Sequence, residues 1–135
     1  MSPVLEITGL HTQIRLRKGV VHAVSWTWAT RIQAQTWLDV KRDDLVWCVA
    51  GTGWAKSLWN VLIGPWSCGA PIVLHDAPFV PEQRLNMIRD LGVTVLCQAP
   101  TEYRLEAKIP ELGERWNLGS SLRRAVAAIA EPSAD

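Results

Sequence analysis

The sequence lacks a charge excess of either sign. Its 14 Lys and Arg residues stand against 13 Asp and Glu residues, so the formal net charge is +1. A chain this close to neutral has no basic excess for non-specific nucleic-acid binding and no acidic, solvating tail. Charged residues are only 20% of the chain and apolar residues are 48%, which excludes a disordered protein because so much apolar surface collapses. The composition predicts a folded protein without a nucleic-acid partner.

No Cys-x-x-Cys pair occurs among the three cysteines, Cys48, Cys68 and Cys97. This absence excludes a zinc ribbon and a thioredoxin-like centre, and no metal site is predicted. Each cysteine lies in an apolar stretch, which is typical of a reduced thiol in or near the core of a cytoplasmic protein.

The sequence also has no run suited to crossing a membrane. Residues 57–75 carry no formally charged side chain, but Gly64, Pro65, Gly69 and Pro71 interrupt them. Breaks of this density end a lipid-spanning helix. Residues 1–10 lack the basic start and apolar core of a signal peptide. We therefore expect a soluble, cytoplasmic protein with no membrane span.

A length of 135 residues suits a single domain, residues 1–135. Apolar residues at helical spacing alternate with short apolar runs typical of strands buried on both faces. Helices are predicted at residues 23–40, 54–64, 65–69, 81–92 and from 101, strands at 45–50, 71–75, 93–97 and 122–129, and a loop at 110–119. This alternation predicts an α/β fold in which helices cover a mostly parallel sheet. Leu85, Ile88 and Leu91 are expected to face inward.

Aromatic residues other than tryptophan are almost absent, with one Tyr and one Phe against eight Trp. Trp47, Trp59 and Trp66 lie in apolar runs, so they are expected to fill core volume. Trp28 shares one predicted helix with Trp26 and Trp37. An exposed ring on that helix would mark a surface that is covered in a longer relative.

Three predicted strand ends could border a ligand site, because ligands of open parallel sheets bind beyond the carboxyl ends of the strands. They are residues 50–54, 75–77 and 98–103. The first contains glycines that allow close backbone approach at a helix start, although the same residues also suit an ordinary tight turn. Trp54 is the tryptophan best placed to contact a ligand. His75 and Asp76 could form an acid–base pair, but adjacent residues at a strand end usually face different ways.

Five sets of residues occur in an order and spacing that resemble a known family. They are Lys-Gly-Val-Val-His at 18–22, Asp-Leu-Val-Trp-Cys at 44–48, Thr-Gly-Trp-Ala-Lys-Ser at 52–57, Gly-Pro-Trp at 64–66 with Gly-Ala at 69–70, and Gly-Val-Thr at 92–94 with Ala-Pro-Thr-Glu-Tyr-Arg at 99–104. Together they resemble AMP-forming acyl-CoA synthetases, in particular the acetyl-CoA and medium-chain acyl-CoA synthetases of the adenylate-forming superfamily. The resemblance spans residues 18–132 and implies the central part of the N-terminal domain of such an enzyme.

These enzymes activate a carboxylate with ATP to an acyl-adenylate and then transfer the acyl group to coenzyme A. The resemblance implies ATP, magnesium and coenzyme A as ligands of the family, with none held tightly by this chain. By position, Lys18 and Gly19 match the end of the phosphate loop and Glu131 and Pro132 match a stretch near the adenine. The walls of the acyl and nucleotide cleft are matched by Trp54, Thr101, Glu102 and Tyr103. The residues alone also allow simpler interpretations: a solvated basic turn at Lys18, and a first-turn acid beside a half-buried ring at Glu102 and Tyr103.

The sequence departs from the family pattern on both sides. Gln13, Ile14 and Leu16 precede Lys18, where the family has small residues whose N–H groups converge on a phosphate. Residues 129–132 lack the family's glycine, and the later magnesium motif, ribose-binding aspartate and C-terminal domain have no counterpart in the 135 residues. We therefore expect no catalytic residue and no acyl-CoA formation by this chain alone. The alternative is a non-catalytic module that self-associates or binds a partner chain through exposed sheet edges and apolar helix faces.

Overall fold

The computed structural model describes residues 13–16, 19–50 and 56–127. An antiparallel hairpin comes first, formed by β1 (Gln13–Leu16) and β2 (Gly19–His22). Three further strands form a parallel sheet in the order β3-β4-β5: β3 (Val46–Cys48), β4 (Val95–Gln98) and β5 (Arg124–Ala127). The helices are α1 (Ala23–Thr36), a π-helix (Ser57–Ile63), α2 (Gly64–Ser67), α3 (Pro81–Leu91), α4 (Pro100–Glu106), α5 (Leu112–Trp116) and a 3₁₀ turn (Leu118–Ser120).

Strands β3 and β4 are buried on both faces, as their apolar sequences predict. Val46 pairs with Val95, and Cys48 with Cys97, in parallel register. Successive side chains of a strand point to opposite faces. One core cluster therefore holds the cysteines and valines of both strands against α1 and the π-helix, and the other holds Trp47 and Leu96 against α3 and the chain around it. The first cluster comprises Ala34, Leu38, Val40, Val46, Cys48, Val61, Ala70, Val95 and Cys97, and the second Trp47, Ile88, Val93 and Leu96.

Helix α3 has the end signals expected from its sequence. A proline occupies its first turn, where the missing N–H costs nothing. Gly92 ends it in the left-handed conformation at φ 68°, which glycine adopts without a steric penalty. The Val93 N–H then donates to the Ile88 carbonyl at 3.0 Å, and the chain turns into β4.

A cluster of hydrogen bonds around Asp44, called the Asp44 lock below, connects the three strands of the parallel sheet near their amino ends. The buried Asp44 carboxylate accepts hydrogen bonds from the Thr94 hydroxyl at 2.8 Å, the Lys41 N–H at 2.7 Å and the Arg123 guanidinium. Burial alone would raise the pKa of Asp44, but these donors outweigh it and hold the pKa below its usual range. The Asp44 lock joins the segments that precede β3, β4 and β5, so it fixes the register of the three strands. It lies at the opposite end of the sheet from the carboxyl ends of these strands.

Gly64, where the π-helix continues into α2, lies close against α1. A Cβ atom there would come within 2.5 Å of the Trp59 carbonyl oxygen and 3.3 Å of the Ala34 Cβ. Glycine therefore avoids a clash with the carbonyl of the preceding π-helix turn and leaves room for the close contact with α1.

The α/β class and the alternation of helices with parallel strands are confirmed. The predicted strand at residues 71–75 is wrong in extent: it forms only an isolated parallel bridge between Ile72 and Val46. Proline at 71 has no N–H to donate, and Leu74 is 67% exposed, so the segment pairs on one side only. Strand β4 begins two residues later than predicted, and β5 covers the middle of the predicted 122–129 strand, of which 128 and 129 lie outside the described residues.

Other differences concern helices and side chains. Helix α1 ends at Thr36 rather than at 40, Pro100 is the first residue of α4 rather than its outer neighbour, and residues 110–119 contain α5 and the start of the 3₁₀ turn. The hairpin β1–β2 was not predicted. Leu91 is 50% exposed because it lies about 120° around the helix from Leu85. Trp66 is 57% exposed rather than in the core and Trp59 is half-buried, whereas Trp47 is buried as predicted. Trp28, 69% exposed, is an exposed ring on α1.

The cysteines agree with their prediction. Cys48 and Cys97 are buried, Cys68 is half-buried, and all three are free thiols. Within the described ranges, the helices are too short and too polar for any of them to cross a bilayer.

Candidate functional site

A cleft of about 740 Å³ lies at the carboxyl end of β3. This volume falls in the range of small-molecule sites, roughly 300–1,000 Å³. The residues that follow β3 form its floor, the π-helix forms one wall, and the extended segment after the Ile72 bridge forms the other. The lining residues are Trp47, Cys48, Val49, Ala50, Ser57, Leu58, Val61, Leu62, Val73, Leu74, His75, Asp76 and Arg84.

The walls of the cleft are mainly aliphatic. Leu58, Val61 and Leu62 project from the π-helix, and Val73 and Leu74 face them from the other side. A π-helix widens the turn and is frequent at functional sites. Here it places three aliphatic residues within five positions along one wall, which suits an apolar ligand or an alkyl chain.

Arg84 is the only Arg or Lys among the described lining residues, and it is buried. Its guanidinium carbon lies 4.6 Å from the centroid of the Trp47 ring and 5.1 Å from that of Phe79. Both distances are within the range of a cation–π interaction. Burial lowers the pKa of Arg84, and the nearby Glu102 and Glu106 carboxylates act against this effect. The guanidinium stays protonated in any case, so it places a positive charge beside a mainly aliphatic cleft whose lining also includes the Asp76 carboxylate.

A buried polar network holds Arg84 in this position. One terminal nitrogen donates to the Gln98 side-chain oxygen at 3.1 Å, and the other lies 3.8 Å from the Glu102 carboxylate. The Gln98 amide nitrogen donates in turn to Glu106 at 2.5 Å. Because Arg84 can only donate, the Gln98 oxygen must face it, which orients the amide nitrogen toward Glu106. The chain Arg84–Gln98–Glu106 therefore links α3, β4 and α4 behind the cleft.

Glu106 is the residue of this network whose burial destabilises the folded state. Its carboxylate is buried and its Oε1 atom has no hydrogen-bond partner. Burial raises the pKa of Glu106, while the Gln98 hydrogen bond and the Arg84 charge lower it in part. A buried carboxylate with one unsatisfied oxygen destabilises the fold, so the position of Arg84 is maintained at an energetic cost.

Comparisons with known proteins identify similar sequences. No protein-family model matches the chain. An uncharacterized acyl-CoA ligase of Bacillus subtilis is 38% identical over 112 residues, which are 82% of this chain and 21% of the relative. The acetyl-coenzyme A synthetase of the same organism is 36% identical over 117 residues, 85% of this chain and 20% of the relative.

Solved structures show the same relationship. The crystal structure of a Brucella canis acyl-CoA synthetase superposes with a TM-score of 0.72 and 27% identity, covering 91% of this chain and 23% of that one. An anthranilate CoA ligase in complex with anthranoyl-AMP has a TM-score of 0.69 at 21% identity, which supports the fold alone. The chain is homologous to a segment of the acyl-CoA synthetases. It spans about a fifth of the length of these relatives.

The fold brings only some of the predicted site residues near the cleft. Thr101 is exposed on α4 and does not line it. The Glu102 carboxylate accepts from the Ala99 N–H at 3.1 Å, as a first-turn acid does, and its other oxygen faces Arg84. Tyr103 is half-buried and donates to the Val126 carbonyl at 3.2 Å. Glu102 is thus one contact away from the cleft, and Tyr103 packs against the Trp47 core cluster.

The remaining predicted site residues belong mostly to other parts of the chain. Lys18, Trp54, Glu131 and Pro132 lie outside the described residues, and Gly19 is the first residue of β2. In sequence, Trp54 falls between Ala50 and Ser57, both of which line the cleft. The roles assigned to all of these residues remain predictions.

The sequence pointed to part of the observed site and missed its charged residue. The first and second strand ends, residues 50–54 and 75–77, contribute Ala50, His75 and Asp76 to the lining. His75 stacks edge-on against Trp47 with ring centroids 5.9 Å apart. Arg84 was not singled out, although it lies four residues before the buried Ile88 and therefore on the inward face of α3.

Replacing Arg84 with methionine is expected to lower the free energy of unfolding by about 2–3 kcal/mol, because Gln98 and Glu102 lose their cationic partner while remaining buried or half-buried. Arg89→Met on the same helix is the matched control, since Arg89 is exposed and pairs with its neighbour Asp90. The control is expected to change stability by less than about 0.5 kcal/mol. Urea denaturation followed by tryptophan fluorescence measures both, and equal losses in the two variants would contradict the assigned role of Arg84.

Proposed function

We propose that this chain forms a carboxylate-binding segment of an acyl-CoA synthetase: it holds an acyl group in the β3 cleft and does not make acyl-CoA by itself. The observation that carries the proposal is the cleft, with aliphatic walls and one buried guanidinium. An alkyl chain fits the walls by burying apolar surface. A carboxylate is attracted by the Arg84 charge, which acts in an environment that excludes most water.

The geometry favours binding over catalysis for the described part of the chain. Arg84 already interacts with Gln98 and Glu102, and the Glu102 and Glu106 carboxylates offset part of its charge, so a bound carboxylate would compete with Glu102 for the guanidinium. Among the described lining residues, the groups that could act as acid or base are His75, Asp76 and Cys48. Activation of a carboxylate also needs groups that bind and orient the ATP phosphates, and the predicted phosphate-loop residue Lys18 lies outside the described ranges.

Magnesium, ATP and coenzyme A belong to the reaction of the whole family. Among residues 13–16, 19–50 and 56–127, no three His, Cys, Asp or Glu side chains come together as a metal site. The proposed binding of a carboxylate uses no magnesium ion. A cytoplasmic location and a single domain over residues 1–135 are part of the same proposal.

Octanoate is expected to bind the chain and to quench or shift the fluorescence of the buried Trp47. 1-Octanol, which has the same chain length but no charge, is expected to bind at least several-fold more weakly because it gains nothing from Arg84. With ATP, magnesium and coenzyme A present, no AMP should accumulate above the rate without protein. Fluorescence titration and an AMP assay measure the two effects.

Two results would contradict the proposal. Equal affinity for octanoate and 1-octanol would show that the Arg84 guanidinium does not contribute to binding the carboxylate. Steady release of AMP that depends on the carboxylate would show that the chain is catalytic on its own.

Self-association is a second candidate function, favoured by the exposed apolar residues of α1 and α2. Trp28 and Ile32 project from α1, and Trp66 from the adjoining α2. Large apolar side chains clustered on adjoining helices are typical of a protein–protein contact. The proposed occupant is a second copy of this chain, since the two faces would bury the same residues against each other.

Sedimentation velocity over a range of micromolar concentrations tests this candidate. Wild-type protein is expected to form dimers or larger species, and Trp28→Ser and Trp66→Ser to shift the distribution toward monomer. Leu105→Ser is the matched control, because Leu105 is similarly exposed but lies on α4. A wild-type monomer at every concentration would contradict self-association and leave the carboxylate-binding proposal unaffected.

A further inference from the structure

Two cysteines face each other across the central pair of strands. Cys48 of β3 and Cys97 of β4 are direct partners in the parallel register. Both are free thiols and both are buried in the same core cluster, so their side chains lie on one face of the sheet. The carboxylate-binding proposal uses neither of them.

The separation of the two residues suits a covalent bond. Neighbouring strands lie about 4.8 Å apart, and disulfides join residues whose Cα atoms are roughly 4.4–6.8 Å apart. A bond between them would therefore need rotation of two side chains and little movement of the backbone.

The cleft gives this pair a route to small molecules. Cys48 is one of the lining residues, whereas Cys97 lies behind it with no exposed surface. The third cysteine, Cys68, packs at the edge of the same cluster but does not line the cleft. A reagent that enters the cleft therefore meets Cys48 first, with Cys97 as its immediate neighbour.

The charges around the pair favour one thiolate. The hydrogen bond from Cys48 is the main effect that lowers the pKa of Cys97, to about 7, and the Lys56 ammonium lowers it further. The same interaction raises the pKa of Cys48. The Tyr103 hydroxyl is the other titratable group near Cys97, and its own pKa is raised, mainly by burial. Since the two thiols share the remaining proton, the pair as a unit carries one negative charge near neutral pH.

We propose that Cys48 and Cys97 form a redox-active dithiol at the floor of the cleft, which a small hydroperoxide oxidises to an intramolecular disulfide. In the first step Cys48 passes its proton to Cys97 and attacks the peroxide as the thiolate: an S–O bond forms, the O–O bond breaks, and the alcohol or water leaves with a proton taken from solvent. In the second step the other thiol attacks the sulfenic acid, the S–S bond forms, the S–O bond breaks, and water leaves with the thiol proton. Two thiols are oxidised and one peroxide is reduced.

The test is oxidation of the full chain by hydrogen peroxide at pH 7, followed by unfolding, alkylation with N-ethylmaleimide and peptide mapping by mass spectrometry. The expected product is a monomer that has lost two hydrogens, contains one linked pair of peptides with Cys48 and Cys97, and is alkylated only at Cys68. Reduction with dithiothreitol should restore three alkylated cysteines. Preferential oxidation of Cys68, or disulfide-linked dimers in place of the internal bond, would overturn the proposal.

Cys68→Ser is the matched control and is expected to give the same linked peptides. Cys48→Ala and Cys97→Ala are each expected to abolish the internal disulfide, and the remaining thiol should stop at a sulfenic acid that dimedone traps. Because these variants alter the core, their circular dichroism is compared with that of the wild type. The wild-type peptide map decides the proposal even if either variant fails to fold.

The pH dependence of the oxidation rate tests the electrostatic part. In the wild type the rate is expected to rise through a midpoint near neutral pH. Lys56→Met should shift that midpoint upward, while Lys108→Met, an exposed lysine beyond α4, and Tyr103→Phe should leave it in place. A midpoint that Lys56→Met does not move would contradict the role of Lys56. None of these outcomes depends on octanoate binding, so the dithiol and the carboxylate site can fail separately.

Discussion

The in-register parallel pairing of β3 with β4 is the constraint on which the rest of the structure depends. It places Val46 and Cys48 beside Val95 and Cys97 on one face of the sheet, and Trp47 beside Leu96 on the other. A slip of one residue would exchange these faces and destroy both core clusters together. The Asp44 lock at the amino ends of the strands opposes such a slip, because its hydrogen bonds to Thr94 and Arg123 fix the chain before each strand. The cleft at the carboxyl ends is a consequence of that register.

The same pairing explains why a cation can be buried beside an apolar cleft. Trp47 presents its ring to the Arg84 guanidinium from one strand, and Gln98 accepts a hydrogen bond from it at the end of the next. Neither contact suffices alone, since an unpaired buried charge is strongly destabilising. The Glu102 and Glu106 carboxylates further compensate the positive charge of Arg84, although one carboxylate oxygen of Glu106 has no hydrogen-bond partner. This cost is consistent with a position maintained for binding, because a wholly apolar packing would avoid it.

Elements with strong local sequence signals were predicted correctly. The wrong predictions concern elements and side chains whose positions depend on contacts with residues distant in the sequence. Helix α3 carries a proline start and a glycine stop, and β4 is a run of buried apolar residues, so both were predicted within about two residues. Residues 71–75 are equally apolar, yet only the side facing β3 is paired, which no local pattern reveals. Trp66 also lies in an apolar run, but its ring points away from the sheet. Arg84 was missed because a charged residue on a helix is usually solvated, and its burial depends on Trp47, Gln98 and Glu102, which are 14 to 37 positions away.

The central claim is that the β3 cleft, with its aliphatic walls and the Arg84 charge, is the place where this acyl-CoA synthetase segment holds a carboxylate. Chemical-shift mapping by two-dimensional NMR of the isotope-labelled chain during an octanoate titration tests it most directly. The account predicts saturable shifts concentrated at Ala50, Leu58, Leu62, Val73 and the Arg84 side chain, with little change on α5. Shifts that cluster on α5 or on the exposed face of α1, with the cleft resonances unmoved, would contradict it.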